Sequence, residues 1–150
     1  MAAVAPNDQA SLQAATIDRF VEGWKINSGE AWTELWADGC TNTILPFSLN
    51  CAPMSKAHVL RSKHFGNVSN WKQLEVYEVL HDTAKGKSAV YATSSADTRF
   101  GNFKWSQEYA AFITLTEDRM KIGHITEMVD TAFFAEMGRQ SAKFAAAESK

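Results

Sequence analysis

The sequence predicts one α+β domain, with helices packed on one face of a highly curved antiparallel sheet that wraps into a cone. Three observations carry this. Helical periodicity dominates from Asp8 to Phe65 and returns after Thr131. Between them, from Trp71 to Asp130, the apolar period changes to two. Short turn signals join the four segments of that stretch, so consecutive strands should pair antiparallel. Helices gathered at one end of a chain and strands at the other argue for segregated layers.

The elements follow in order. Leu12, Ile17, Phe20, Val21 and Trp24 recur at helical spacing, with Asn7 or Asp8 as a cap and Asn27-Ser28-Gly29 as a stop. Trp32, Leu35 and Trp36 stand at i, i+3 and i+4, which predicts a second helix ending at Asp38-Gly39. Thr41 to Leu45 reads as a short β segment closed by Pro46. Ser55 is a good N-cap for a third helix reaching about Phe65. Four strands follow: Trp71–His81 with Leu74, Val76 and Leu80 on one side, then Ser88–Thr98, Phe103–Thr116 and Lys121–Asp130. A last helix from about Thr131 to Ala147 carries Phe133, Met137 and Phe144 on one face.

With 150 residues, 45% hydrophobic and 21% charged, the chain has the size and mixture of one globular core. Residues 1–7 read as a loose, Ala-rich lead-in and residues 8–150 as the single domain. A net charge of -2 gives no footprint for nucleic acid. No stretch has the apolar length of a membrane span, and the start lacks the pattern of a secretory signal, so a cytoplasmic protein is expected. Cys40 and Cys51 fit no metal spacing and are expected to be reduced. No Gly-rich phosphate loop, Cys/His cluster or serine elbow is present, so no metal and no cofactor is expected.

The element order resembles the nuclear transport factor 2-like superfamily, and within it the SnoaL-like proteins. The most specific strings are Ala92-Thr93-Ser94-Ser95-Ala96-Asp97-Thr98, Glu108-Tyr109, Leu115-Thr116-Glu117-Asp118, Lys121-Ile122 and Ile125 to Asp130. In the first half, Leu35-Trp36-Ala37-Asp38 and Leu45-Pro46-Phe47-Ser48-Leu49 match. The resemblance covers nearly the whole chain and is closest to fungal SnoaL-like cyclases and isomerases. It implies a cone-shaped α+β barrel, a cofactor-independent cyclase, isomerase or dehydratase, and a small hydrophobic polyketide or meroterpenoid intermediate as ligand. It also implies a homodimer through the outer sheet face. A non-catalytic binding or dimerising module of the same fold is the alternative.

The same resemblance places a carboxylate on the last strand, three residues before an Asp, which Glu127 matches. Alternation then sends Ile125, Glu127 and Val129 inward. Among apolar side chains such a carboxyl has a raised pKa suited to acid or base work. The competing reading is an exposed or salt-bridged strand glutamate. Asp130 suits an N-cap. His64 on the third helix and Asp38 at the end of the second are further catalytic candidates, each open to a plain surface or turn role. Asn42 could orient a substrate oxygen or bond its own backbone. Trp24, Phe20, Trp36, Phe47 and Phe112 are candidate apolar walls.

Matching the Ala92–Thr98 string to relatives turns Ser94 and Ala96 inward and leaves Asp97 outside, facing Arg99 or a partner subunit. Whether Glu108 or Tyr109 enters the cone stays open. Two chemistries of the superfamily lack their residues. Phe20 stands where steroid isomerases carry an oxyanion-binding Tyr, and Ile44-Leu45-Pro46 has no carboxylate where they carry their base. Ser94 and Ala96 stand where epoxide hydrolases need Arg and Asp.

Overall fold

The computed structural model describes residues 6–62 and 67–149. The order is α1 (Pro6–Lys25), α2 (Gly29–Thr33), β1 (Trp36–Leu45), a 3-10 turn (Phe47–Leu49), β2 (Met54–Ser55), α3 (Lys56–Arg61), β3 (Val68–Asp82), β4 (Lys87–Thr98), β5 (Lys104–Leu115), β6 (Ile122–Val129) and α4 (Thr131–Glu148). The six strands form one sheet in the order β2-β1-β6-β5-β4-β3. β3 to β6 pair antiparallel as expected, while β1 joins β6 in parallel.

Helix α1 buries Gln13, Thr16, Ile17, Phe20, Val21 and Trp24, one stripe at steps of three and four. Its polar members fasten it to the sheet. Gln13 Nε2 donates to Lys87 O at 2.8 Å and to Ser88 Oγ at 3.0 Å, and Thr16 Oγ1 donates to Arg119 O at 2.6 Å. Gly23 lets α2 approach, since a Cβ there would stand 2.5 Å from Ala31 O. The first turn begins at Pro6, so Asn7 and Asp8 lie inside the helix rather than capping it.

Three expectations about elements need correction. The second helix is a single short segment ending at Thr33, and Asp38-Gly39 falls within β1. The register of β1 on β6 shifts between Trp36 and Thr41, and Gly39 there has φ +78. Trp36 is thus a strand residue, buried beside Trp32 at a ring distance of 5.0 Å. Helix α3 ends at Arg61, short of Phe65, which lies outside the described residues. In β3 an irregularity between Val76 and Glu78 reverses the alternation, so Val79 turns inward and Leu80 becomes exposed.

Other expectations hold. Ser55 caps α3, and Asp130 caps α4 by accepting from the amides of Ala132 and Phe133. Ser94 and Ala96 are buried, whereas Asp97 is held on the outer surface by Lys104 at 2.7 Å and Lys72 at 3.1 Å, not by Arg99. These cations, Lys104 foremost, hold its carboxyl well below the usual carboxylate range. Cys40 and Cys51 are free, and burial pushes the Cys40 thiol up to about 12. Among the described residues no helix is long and apolar enough to cross a membrane.

Candidate active site

The inner face of the sheet encloses a cavity of about 350 Å³. Its rungs are set by strand register. Near the mouth Trp71, Ala96 and Trp105 stand side by side across β3, β4 and β5; below them come Leu74, Ser94 and Gln107, then Val76, Ala92, Tyr109 and Val129. Glu127 lies one rung deeper, opposite Ala111 on β5 and Ile44 on β1. Trp24 from α1 and Trp32 from α2 line the helical side. Helix α4 lies along the remaining side, with Phe133 packed edge-on against Trp105 at 5.1 Å and Met137 and Gly138 also on the cavity wall.

Glu127 is the one carboxylate among the described lining residues, and its residue is only 7% exposed. Burial pushes its carboxyl up from the ordinary value near 4.5 to about 7, because the charged form loses water and gains no cation. A hydrogen bond from Asn42 Nδ2 to Oε2, at 2.9 Å, opposes that rise. Asn42 is fully buried, on the strand that runs parallel to β6, and so fixes the carboxyl's position. Its Oδ1 has no partner among the described residues. Its amide bonds the acid rather than its own backbone, and it lines the cavity.

Tyr109 settles the β5 ambiguity by turning inward, while Glu108 accepts from Tyr91 Oη on the outer face at 2.8 Å. The Tyr109 phenol shares a 2.7 Å hydrogen bond with Ser94 Oγ, which also accepts from Trp105 Nε1 at 2.7 Å. Burial foremost, and the nearby Glu127, hold that phenol well above its ordinary value, so it stays protonated as a donor. Ser94 thus orients Tyr109 from behind the wall instead of lining the cavity. Phe20 is likewise one layer back, against Trp24 at 5.9 Å.

Of the residues singled out from sequence, Glu127, Asn42 and Trp24 come together at the cavity. Three do not. Asp38 is exposed on β1. Phe47 is 80% exposed in the 3-10 turn, and Phe112 is 52% exposed on the outer face. The Phe112 error is one of parity: residues 109 and 112 cannot share a strand face, and Tyr109 takes the inside. His64 lies outside the described residues. Gln107, Trp71 and Trp105 were missed and Tyr109 was left open, although stepping back by twos from the apolar Ile113 and Ala111 reaches Tyr109, Gln107 and Trp105.

A sheet of this topology closing over an apolar hollow is the cone-shaped nuclear transport factor 2-like fold. In fold the chain is similar to BvnE pinacolase from Penicillium brevicompactum, with a TM-score of 0.80, 17% identity, and coverage of 95% of this chain and 97% of that one. It is also similar to TerC co-crystallized with polyporic acid, at TM-score 0.66 and 12% identity over 84% and 97% of the two chains. No family model matches the sequence. Among curated proteins the chain is 52% identical over 129 residues to the monooxygenase dmxR10 of Cryptosporiopsis sp. (strain 8999), 85% of each chain. It is 38% identical to the monooxygenase nsrS of Aspergillus novofumigatus, over 83% of this chain and 85% of the relative. An ergochrome gene cluster protein of Claviceps purpurea is 36% identical over 85% of this chain and 82% of the relative. The chain belongs to the family of fungal proteins that contains these three.

Proposed function

We propose that the protein is a cofactor-independent enzyme of secondary metabolism. It binds an apolar, oxygenated polyketide or meroterpenoid intermediate and rearranges it by proton transfer, in a cyclisation, isomerisation or dehydration. The observation that carries this reading is Glu127, a buried carboxyl poised near neutral pH in a mainly apolar, aromatic cavity. As the carboxylate it removes a proton from carbon or oxygen of the ligand. As the acid it returns one. Tyr109 Oη and the Asn42 amide are donors beside it for the oxygen on which charge develops.

A second reading is favoured by the name monooxygenase carried by two of the relatives. It begins with the same proton abstraction. The resulting carbanion, at a methylene flanked by unsaturated groups, passes its electrons to dioxygen; loss of water from the peroxide leaves a carbonyl, so that CH2 plus O2 gives C=O plus H2O. Product mass separates the readings when purified protein is incubated with candidate biosynthetic intermediates under air and under nitrogen. Rearrangement leaves the mass unchanged or removes water, with or without air. Oxygenation adds oxygen and removes two hydrogens, only under air. A ligand bound and recovered unchanged would mean that the fold serves as a binding module.

The outer sheet face suits pairing with a second copy. Tyr77, Leu80, Tyr91, Phe112 and Met128 are all exposed there, an apolar patch on one side of β3 to β6. Sedimentation velocity is expected to show a homodimer for the wild type and a monomer for Phe112→Lys. A monomeric wild type would remove the proposal.

A further inference from the structure

Gln107 stands out among the buried polar side chains. It is 6% exposed, it lines the cavity, and its amide makes no hydrogen bond to a described residue. Gln13, by contrast, commits its Nε2 to Lys87 O and Ser88 Oγ. A carboxamide set in an apolar wall with its polar atoms uncommitted is an unfilled donor and acceptor pair.

Its position along the cavity is equally specific. Glu127 pairs across the ladder with Ala111, and Gln107 stands four residues nearer the mouth on the same face of β5. At the rise of an antiparallel strand the two backbone sites are roughly 14 Å apart. Tyr109 and Val129 fill the rung between them, and Trp71 and Trp105 flank the small Ala96 just beyond Gln107. The lining therefore alternates a deep polar group, an apolar and aromatic stretch, and a second polar group under aromatic walls.

We propose that Gln107 is the second anchor of the ligand, taking a hydroxyl or carbonyl oxygen at the end remote from Glu127, so that the site selects elongated molecules oxygenated at both ends. This rests on the reading of the cavity as the ligand site, but not on Glu127 transferring a proton. A molecule with oxygen at one end alone leaves either the Glu127–Asn42 pair or Gln107 without its partner, and that asymmetry is the source of selectivity.

The test uses binding rather than turnover. Two probes, 2-hydroxyanthraquinone and 2,6-dihydroxyanthraquinone, are titrated into the full chain, with quenching of the cavity tryptophans as the signal. The wild type is expected to bind the diol about tenfold more tightly, the size of one well-made hydrogen bond. Gln107→Met, similar in shape and without the amide, is expected to bind both alike, and Glu127→Gln to keep a preference for the diol. Thermal unfolding of the methionine variant checks that it folds, with Gln107→Leu as a second variant. An undiminished diol preference in folded Gln107→Met overturns the proposal, as does a wild type that binds both probes equally or neither. Loss of turnover in Glu127→Gln with the preference intact would support both readings separately.

Discussion

Replacing Glu127 by Gln is expected to lower kcat on the true substrate by roughly 10²- to 10⁴-fold, the usual worth of a positioned general base. The amide keeps the shape of the carboxyl and can still accept from Asn42, so KM should change little. The wild-type profile carries the stronger signature. With a carboxyl near pH 7, the base form fills as pH rises, and kcat/KM should climb through about pH 7 to a plateau. That limb should be missing from Glu127→Gln. Removing the Asn42 amide, as in Asn42→Leu, takes away the one hydrogen bond that lowers the Glu127 pKa, and should move the limb to higher pH. Steady-state rates from pH 5 to 9 check all three outcomes. Near wild-type turnover in Glu127→Gln would end the catalytic assignment.

The second large effect is on stability. A carboxyl whose folded-state pKa lies near 7 against about 4.5 binds its proton more tightly in the folded chain than in the unfolded one. Its share of the stability is fully present below pH 4.5 and is lost as pH rises through 7. The separation of the two values corresponds to roughly 3 kcal/mol, an upper figure because local relaxation lets water reach the charge. Gln carries no charge to desolvate. Glu127→Gln should therefore match the wild type near pH 4.5 and exceed it progressively, by up to roughly 3 kcal/mol, at pH 8. Denaturant unfolding of both proteins across that range measures the difference, in which contributions from surface groups such as Asp97 cancel. Gaining stability while losing activity is what a side chain kept for chemistry should show.

How far the site was legible follows from the kinds of signal each residue sends. Glu127 is in the half of its strand where alternation is regular and where Ile125 and Val129 declare the inner face, so its direction could be read locally. Trp24 belongs to a helical stripe with the same clarity. The bond of Asn42 to Glu127 could not be read, because the two are 85 positions apart and the parallel pairing of β1 with β6 leaves no local trace. Where the chain departs from regular geometry, pattern reasoning failed. Trp32, Leu35 and Trp36 have helical spacing, yet the helix stops at Thr33, and Trp36 reaches the same core from a strand. Leu80 was placed inside because the shift after Val76 cannot be seen in the residue types. Phe112 and Phe47 were taken for walls because they are large and apolar, but size and apolarity do not set direction, and both stand exposed.

Nothing in the chemistry survives if the acid at position 127 keeps an ordinary affinity for its proton. The direct measurement is a carbon-13 NMR titration of glutamate side-chain carboxyls, with Glu127→Gln to identify the resonance. A midpoint near 7 is expected. A midpoint near 4.5 would show a carboxylate in contact with bulk water, and would contradict the proton-transfer reading of this cavity.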